Sequence, residues 1–316
     1  MELTSLVELN RAANPCDGEL KFVCFVFMFI VAFQFEVNVN NMRVSIHKFQ
    51  QMKNIGEPIP MITAYDYSSA YLVENAGIPL ILVGDSLGQV VMGHATTIPV
   101  TLEDMLSHIK MVVRGTTSAH IVGDMPFLTY QINGDEAVRN AGSLLKYGGC
   151  QSIKLEGGSE ISTTMSRIVR SGIPVMGHIG FTPQSVYQLG IKVQGKNAND
   201  ANSLINDALA IQEAGAYAIV LELIPKQVAE IITKKLTIPT IGIGAGAYCD
   251  GQVQVFHDLL GLNPDFTPKH AKKYVDLAQF INKAVRDYIE DVKIKEFASD
   301  EMSFSNDETI KFPELL

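Results

Sequence analysis

No tryptophan occurs in this chain, and cysteine is nearly as scarce, with four residues in 316. Cys16, Cys24, Cys150 and Cys249 never fall in a Cys-x-x-Cys spacing. That excludes a zinc knuckle or a thioredoxin-type pair and argues against a disulfide framework. The four read as reduced thiols of a cytoplasmic protein. Positive charge is also short: 25 Lys and Arg against 34 Asp and Glu leave a net charge of −9. The bases are dispersed, so the patch a nucleic-acid binder needs is missing. No apolar run reaches the ~20 residues of a membrane helix. The longest, Phe22 to Phe33, follows Glu2, Glu8, Asp17 and Glu19, whereas a secretory signal has a basic start and a small-residue cleavage site. Residues 1–41 are therefore expected to be an N-terminal extension, either an upstream start misassigned in the gene or a weak targeting segment. Membrane association is not expected.

Hydrophobic residues, by contrast, make up 47% of the chain, enough for a large core. Four apolar runs each end in a carboxylate: Ile81-Leu82-Val83-Gly84-Asp85, Ile121-Val122-Gly123-Asp124, Ile153-Lys154-Leu155-Glu156 and Ile219-Val220-Leu221-Glu222. Such runs, bounded by turn signals, read as buried strands of a parallel sheet. An acid at the end of such a strand stands on the carboxyl edge, where α/β enzymes build their sites. Four acids meeting there repel one another unless a cation sits among them.

From residue 59 onward the chain repeats strand, loop, amphipathic helix and turn. Ala76-Gly77-Ile78-Pro79, Ser171-Gly172-Ile173-Pro174 and Leu236-Thr237-Ile238-Pro239 lead into strands in the same way. Glycine suits the left-handed end of a helix, and proline suits the first position of a strand. Strands are predicted from about Pro60, Leu80, His120, Ser152, Ile173, Ala218 and Pro239, with a short eighth near Val253 to Phe256. Helices are predicted over 68–76, 102–114, 134–147, 159–171, 201–214, 226–235 and 270–290. This alternation implies right-handed crossovers and, at this length, a (β/α)8 barrel. An open doubly wound sheet is the alternative, although no GxGxxG follows the first strand. Residues 42–296 are expected to form the barrel, and 297–316 an acidic mobile tail.

Among the residues able to do chemistry, Asp85 and Asp124 read either as turn or capping acids or as metal ligands. Ser86 adds a hydroxyl beside Asp85. Lys154 and Glu156 lie two apart on one strand and so share a face. They form a buried structural pair, or else Lys154 binds a substrate carboxylate while Glu156 faces a metal. The run around Glu222 offers no cationic partner, which suits it to act as a general base. His178 ends the fifth strand, as a satisfied core histidine or a hydrogen-bond donor. Gly242, Gly244 and Gly246 suggest a phosphate cradle or close packing at a barrel end. Oxygen donors without clustered Cys or His favour Mg2+ over zinc. A 2-oxo acid bound to such a metal becomes easier to deprotonate beside its carbonyl.

The motifs closely resemble the ketopantoate hydroxymethyltransferase family. They run in order as Thr63-Ala64-Tyr65-Asp66-Tyr67, Val83-Gly84-Asp85-Ser86-Leu87-Gly88, Gly123-Asp124-Met125-Pro126-Phe127, Lys154-Leu155-Glu156-Gly157-Gly158, Gly177-His178-Ile179-Gly180-Phe181-Thr182-Pro183-Gln184-Ser185, Lys192-Val193-Gln194-Gly195, Leu221-Glu222 and Ile241-Gly242-Ile243-Gly244-Ala245-Gly246. The resemblance implies a barrel of the phosphoenolpyruvate/pyruvate superfamily, assembled as a decamer. It implies hydroxymethyl transfer from 5,10-methylenetetrahydrofolate to 3-methyl-2-oxobutanoate, giving 2-dehydropantoate, the first committed intermediate of pantothenate synthesis. By the same resemblance Asp85, Asp124 and Glu156 bind Mg2+. Ser86 and Lys154, with Asp85 and Asp124, hold the oxo acid, His178 lies near it, and Glu222 accepts the proton. The family's Leu-Gly-Gly-Tyr-Lys-Val-Gln-Gly loop is here one residue shorter, Leu189-Gly190-Ile191-Lys192-Val193-Gln194-Gly195. A Mg2+-dependent lyase or mutase acting on another 2-oxo acid is the alternative within the superfamily. A non-catalytic barrel is the alternative outside it.

Overall fold

Eight short strands, β1 (Ile59–Thr63), β2 (Leu80–Val83), β3 (His120–Asp124), β4 (Ser152–Glu156), β5 (Val175–Gly180), β6 (Ala218–Glu222), β7 (Thr240–Ile243) and β8 (Gly251–Gln254), close into an all-parallel barrel. The structure, a computed structural model, describes residues 43–304. The expectations for residues 1–41 and for the tail past 304 lie outside the described residues. The strands pair in chain order, and β8 pairs back to β1 through Ile59↔Gly251 and Met61↔Val253. An open sheet is thereby ruled out.

Strand parity divides the apolar residues. Ile81, Val83, Ile121, Ile153, Leu155, Val175, Ile219 and Leu221 join the core packed against the outer helices. Alternate residues on the same strands, among them Leu82, Val122, Met176 and Val220, are buried apart from that core, inside the barrel. The same alternation carries Asp124, Lys154, Glu156, His178 and Glu222 inward.

The helices form where stripe and cap agree. The helix Tyr67–Asn75 begins at Asp66, whose side chain accepts from the Ser69 N–H in a reciprocal capping box. Thr101 and Asp104 start Leu102–Arg114 in the same way. Asn133 and Asn197 cap Gly134–Ser143 and Ala198–Glu213.

Two predicted bounds are corrected and one helix is added. Strand β8 begins at Gly251, two residues before the expected start, because polar Gly251 and Gln252 pair with Ile59 and Pro60 despite lacking an apolar signature. The last helix is Leu277–Lys293 rather than 270–290. Gln254 binds both the N–H and the C=O of Lys272, so that stretch is tied to β8 and is not helical. A helix at Ile46–Ile55, absent from the predicted set, ends at Gly56 with φ 73°. It closes the amino-terminal end of the barrel. Its Phe49 ring packs edge-on to His120, centroids 5.5 Å apart.

Among the described residues no helix is long and apolar enough to cross a membrane. Cys150 and Cys249 are free. Burial pushes their thiols up to about 12 and about 11, away from the thiolate form.

Candidate active site

The five inward residues meet Asp85 at the carboxyl rim because of strand register. Asp124 lies opposite Lys154, and Glu156 lies opposite His178. Asp85, Asp124, Lys154, Glu156 and His178 are each no more than 4% exposed. Glu222 ends β6 beside Gly180, whose φ is 99°. A Cβ there would stand 2.1 Å from the Glu222 carbonyl. Glycine is therefore required for β5 to bend past Glu222, and Phe181 N–H then donates to that same carbonyl at 2.8 Å.

Hydrogen bonds knit the acids together. Asp85 N–H donates to Asp124 Oδ2 at 3.0 Å. Asp85 itself accepts from Gln184 Nε2 at 2.9 Å. It caps no helix: the short helix that follows has Ser86 at its cap position and no side-chain capping bond. The Gln184 backbone N–H donates to Glu156 Oε2 at 3.0 Å. The Tyr130 hydroxyl accepts from the Glu156 N–H at 3.1 Å and stands 2.8 Å from Gln184 Oε1. Ser86 Oγ lies 2.9 Å from the Tyr65 hydroxyl.

Two cations face four carboxylates. Lys154 Nζ stands 2.9 Å from Asp124 Oδ1 and 3.7 Å from Glu156 Oε1. His178 Nδ1 lies 3.4 Å from Glu156 Oε1, and Nε2 lies 3.1 Å from Glu222 Oε2. The expectation that Glu222 lacks a cationic partner is thus corrected: its own strand supplies none, but the neighbouring strand supplies His178. These ion pairs are close yet poorly directed. Asp124 Oδ1, Glu156 Oε1 and His178 Nε2 are buried without a hydrogen bond.

The electrostatics follow. Burial, then the charges of Asp124 and Glu156, push the Asp85 carboxyl well above the usual range. Burial also raises Asp124, against the opposing pull of Lys154. Burial would raise Glu156 too, but the His178 ring and the Lys154 charge outweigh it and hold it low. Burial and Lys154 oppose a charge on His178, yet Glu156 and Glu222 prevail and raise it to about 9. Burial likewise opposes the Lys154 charge, but Asp124, Glu156 and Asp85 together hold the ammonium firmly protonated.

Among the described residues no three His, Cys, Asp or Glu side chains are already arranged around one point as ligands. The donor chemistry nonetheless suits a hard divalent ion. Three buried carboxylates share one rim, two of their oxygens lack a hydrogen bond, and negative charge is in excess. All sequence-predicted site residues converge here, in the wall of a cavity of about 630 Å3. Ile191 of the shortened loop also lines it. A larger hollow of about 920 Å3, beside Lys53 and Asp250, contains none of these acids. The glycines of the Gly242–Gly246 run are packed tightly. A Cβ on Gly244 would meet Leu223 at 2.7 Å, and one on Gly246 would meet Lys226 at 2.5 Å. Gln184 and Tyr130 were absent from the predicted site. Gln184 lay inside a quoted motif; no sequence signal marked Tyr130.

Comparison with known proteins identifies the family and the fold. The ketopantoate hydroxymethyltransferase family model matches residues 43–300. The 3-methyl-2-oxobutanoate hydroxymethyltransferase of Chloroflexus aggregans is 58% identical over 268 residues, covering 85% of this chain and 96% of that protein. The protein of the same name from Carboxydothermus hydrogenoformans is 52% identical, covering 83% and 96%. Among solved structures, phosphonopyruvate hydrolase in complex with oxalate and Mg2+ superposes with TM-score 0.53 at 13% identity, covering 82% of this chain and 91% of that one. For 2,3-dimethylmalate lyase, a member of the PEP mutase/isocitrate lyase superfamily, the TM-score is 0.52 at 18% identity, with the same coverage. At such identities the likeness is one of fold.

Proposed function

This chain belongs to the ketopantoate hydroxymethyltransferase family, and from that premise we propose that it carries a hydroxymethyl group from 5,10-methylenetetrahydrofolate to 3-methyl-2-oxobutanoate. The product is 2-dehydropantoate, at the first committed step of pantothenate synthesis. The observation that carries this reading is the surplus of buried carboxylate on one barrel rim, with Asp124 Oδ1 and Glu156 Oε1 lacking hydrogen bonds.

In this reading Asp85, Asp124 and Glu156 would hold Mg2+, which when bound would supply a Lewis acid for the 2-oxo group. Lys154 and Ser86 orient the substrate carboxylate and oxo oxygen, and Tyr65 fixes the Ser86 hydroxyl from behind. Glu222 removes the C3 proton, a contribution of about 10²–10⁴-fold, or roughly 3–5.5 kcal/mol. His178, 3.1 Å from Glu222, pairs as a cation with that carboxylate and holds it ionised and oriented as the base. The C3 carbanion then bonds to the one-carbon unit as one of its two C–N bonds breaks. Water replaces the second nitrogen to give CH2OH, and the proton taken from C3 and the one left by water depart on the two nitrogens of tetrahydrofolate. Residues 42–296 form the catalytic unit, with 1–41 an extension and 297–316 a tail. The cytoplasmic homodecamer that the resemblance implies belongs to the same proposal.

The test is deuterium exchange at C3 of 3-methyl-2-oxobutanoate in D2O, with Mg2+ and without folate. Glu222→Gln should slow exchange by about 10²–10⁴-fold. Exchange at the wild-type rate in this variant removes Glu222 from the base role. Exchange that persists in chelator removes the metal.

A further inference from the structure

Leu223, the residue directly after Glu222, has a left-handed backbone with φ 46°. Glycine takes that conformation freely, but a leucine side chain is crowded in it. Such strain persists only where the surroundings over-determine it, and it gathers at functional sites.

Three backbone bonds to three separate stretches fix this turn. Phe181 N–H donates to the Glu222 carbonyl at 2.8 Å, and Leu223 N–H donates to the Ile243 carbonyl at 2.9 Å. Gln194 N–H donates to the Leu223 carbonyl at 2.9 Å. The partners lie just past β5, at the end of β7 and in the shortened loop that carries Ile191.

The turn redirects the side chain. Leu221 packs outward in the core under the helices, and Glu222 faces the cavity. Continued strand alternation would send residue 223 outward again. Instead Leu223 lines the cavity beside Glu222. It comes so close to Gly244 that a Cβ there would meet Leu223 Cδ2 at 2.7 Å. Gly244 is the middle glycine of the run after β7, and its bare backbone is the seat for this side chain.

Glu222 needs such a neighbour. Its side chain is 15% exposed, and among the described residues its carboxylate has no polar partner besides His178, at 3.1 Å. We propose that Leu223 is a positioning residue for proton removal: the strained turn sets its side chain over Gly244 and beside Glu222, and so keeps the carboxylate turned to His178 and to C3 of the substrate. The proposal rests on the reading of Glu222 as the base.

Deuterium exchange at C3 of 3-methyl-2-oxobutanoate tests it, on the full-length Mg2+-loaded protein without folate, alongside thermal unfolding. Leu223→Ala keeps the strained backbone but empties the seat. Misplacing a reacting group by ~1 Å can cost on the order of 10²-fold, and loosening the base should slow exchange at saturating oxo acid about tenfold. KM should stay within about twofold, because Leu223 makes none of the proposed oxo-acid contacts. Leu223→Met, which keeps the apolar bulk, should recover most of the loss. Leu223→Gly removes the strain as well. It should melt higher than Leu223→Ala, the reverse of the order at an ordinary strand position, yet exchange no faster. A residue that only fills space would shift Tm and leave the saturated exchange rate alone.

Exchange at the wild-type rate in Leu223→Ala and Leu223→Gly overturns the proposal. So does a Leu223→Gly protein that melts below Leu223→Ala or fails to fold. Should Leu223→Ala fail to fold, Leu223→Gly decides by its exchange rate against wild type. All these outcomes leave the hydroxymethyltransferase reading standing. No exchange in the wild type, or undiminished exchange in Glu222→Gln, removes the base itself and this proposal with it.

Discussion

Carboxylates at the two ends of this barrel live in opposite conditions. At the amino-terminal rim, Glu74 accepts the N–H groups of Thr117, Ser118 and Ala119, each at 2.8 Å. Asp250 takes Lys53 Nζ at 2.7 Å and Thr240 N–H at 2.8 Å. Burial would raise the Glu74 carboxyl, but those N–H groups overcome it and hold it low. At the carboxyl rim burial, together with neighbouring carboxylates, lifts Asp85 well above its ordinary value. Two oxygens there have no hydrogen bond at all. One end spends its acids on tying loops to strand starts. The other keeps them unsatisfied, as a site that must bind something must.

Gln184 is where the comparison breaks most visibly, because its side chain and backbone both donate to carboxylates of the reactive rim. It touches Asp85, Glu156 and the Met125 carbonyl together. Gln184→Leu keeps the volume and removes the Asp85 bond while leaving the backbone bond to Glu156. Outer partners of metal ligands are worth about 10–100-fold in metal affinity. We expect Mg2+ binding, measured by calorimetry, to weaken by that factor with the far-ultraviolet spectrum unchanged. Unaltered affinity would reduce Gln184 to packing.

Glu74 sharpens the other side. Glu74→Gln leaves the three N–H groups with a weaker, single acceptor oxygen, and should cost about 1–2 kcal/mol of stability in urea unfolding near pH 7. Its rim is far from the chemistry, so kcat should not change. The sign with pH is fixed by the depressed carboxyl. Its contribution is complete above the unfolded value of about 4.3 and vanishes as pH falls through the lower folded value. The gap between wild type and Glu74→Gln should therefore close in acid. A gap that persists at low pH would show that shape rather than charge holds those loops.

Strand parity explains why so much of this was legible in advance. The apolar runs, four of them ending at Asp85, Asp124, Glu156 and Glu222, gave seven of eight strand positions and the shared rim, because a buried parallel strand must be apolar throughout. Polar Gly251–Gln254 was misplaced since its strand character comes from its neighbours β7 and β1 and not from its own residues. The acids were visible as breaks in apolar runs. Their partners were not. Tyr130 lies on a loop after β3 and reaches Glu156 across 26 positions, and Gln184 reaches Asp85 across 99. Such pairings depend on barrel closure, which no local pattern encodes. The same holds for His178 and Glu222, joined only because β5 and β6 are neighbours.

The smallest expected effect follows most directly from the contrast between the rims. If the carboxyl rim is held in mutual repulsion, removing one charge should stabilise the metal-free protein while harming function. Asp85→Asn tests this with almost no change in shape. The Asn oxygen can still accept from Gln184 Nε2, so the existing hydrogen bond survives. What is lost is a buried charge that faces Asp124 and Glu156 and is only partly offset by Lys154. Lys154 retains Asp124 and Glu156 as partners, so no buried cation is orphaned. We expect a gain of about 0.5–1 kcal/mol, a rise in Tm of a few degrees at most, measured in chelator at neutral pH. Added Mg2+ should reverse the order, since it stabilises only a protein that binds it. A loss of stability in chelator would mean that Asp85 is already satisfied, and that the two ends of the barrel treat their acids alike.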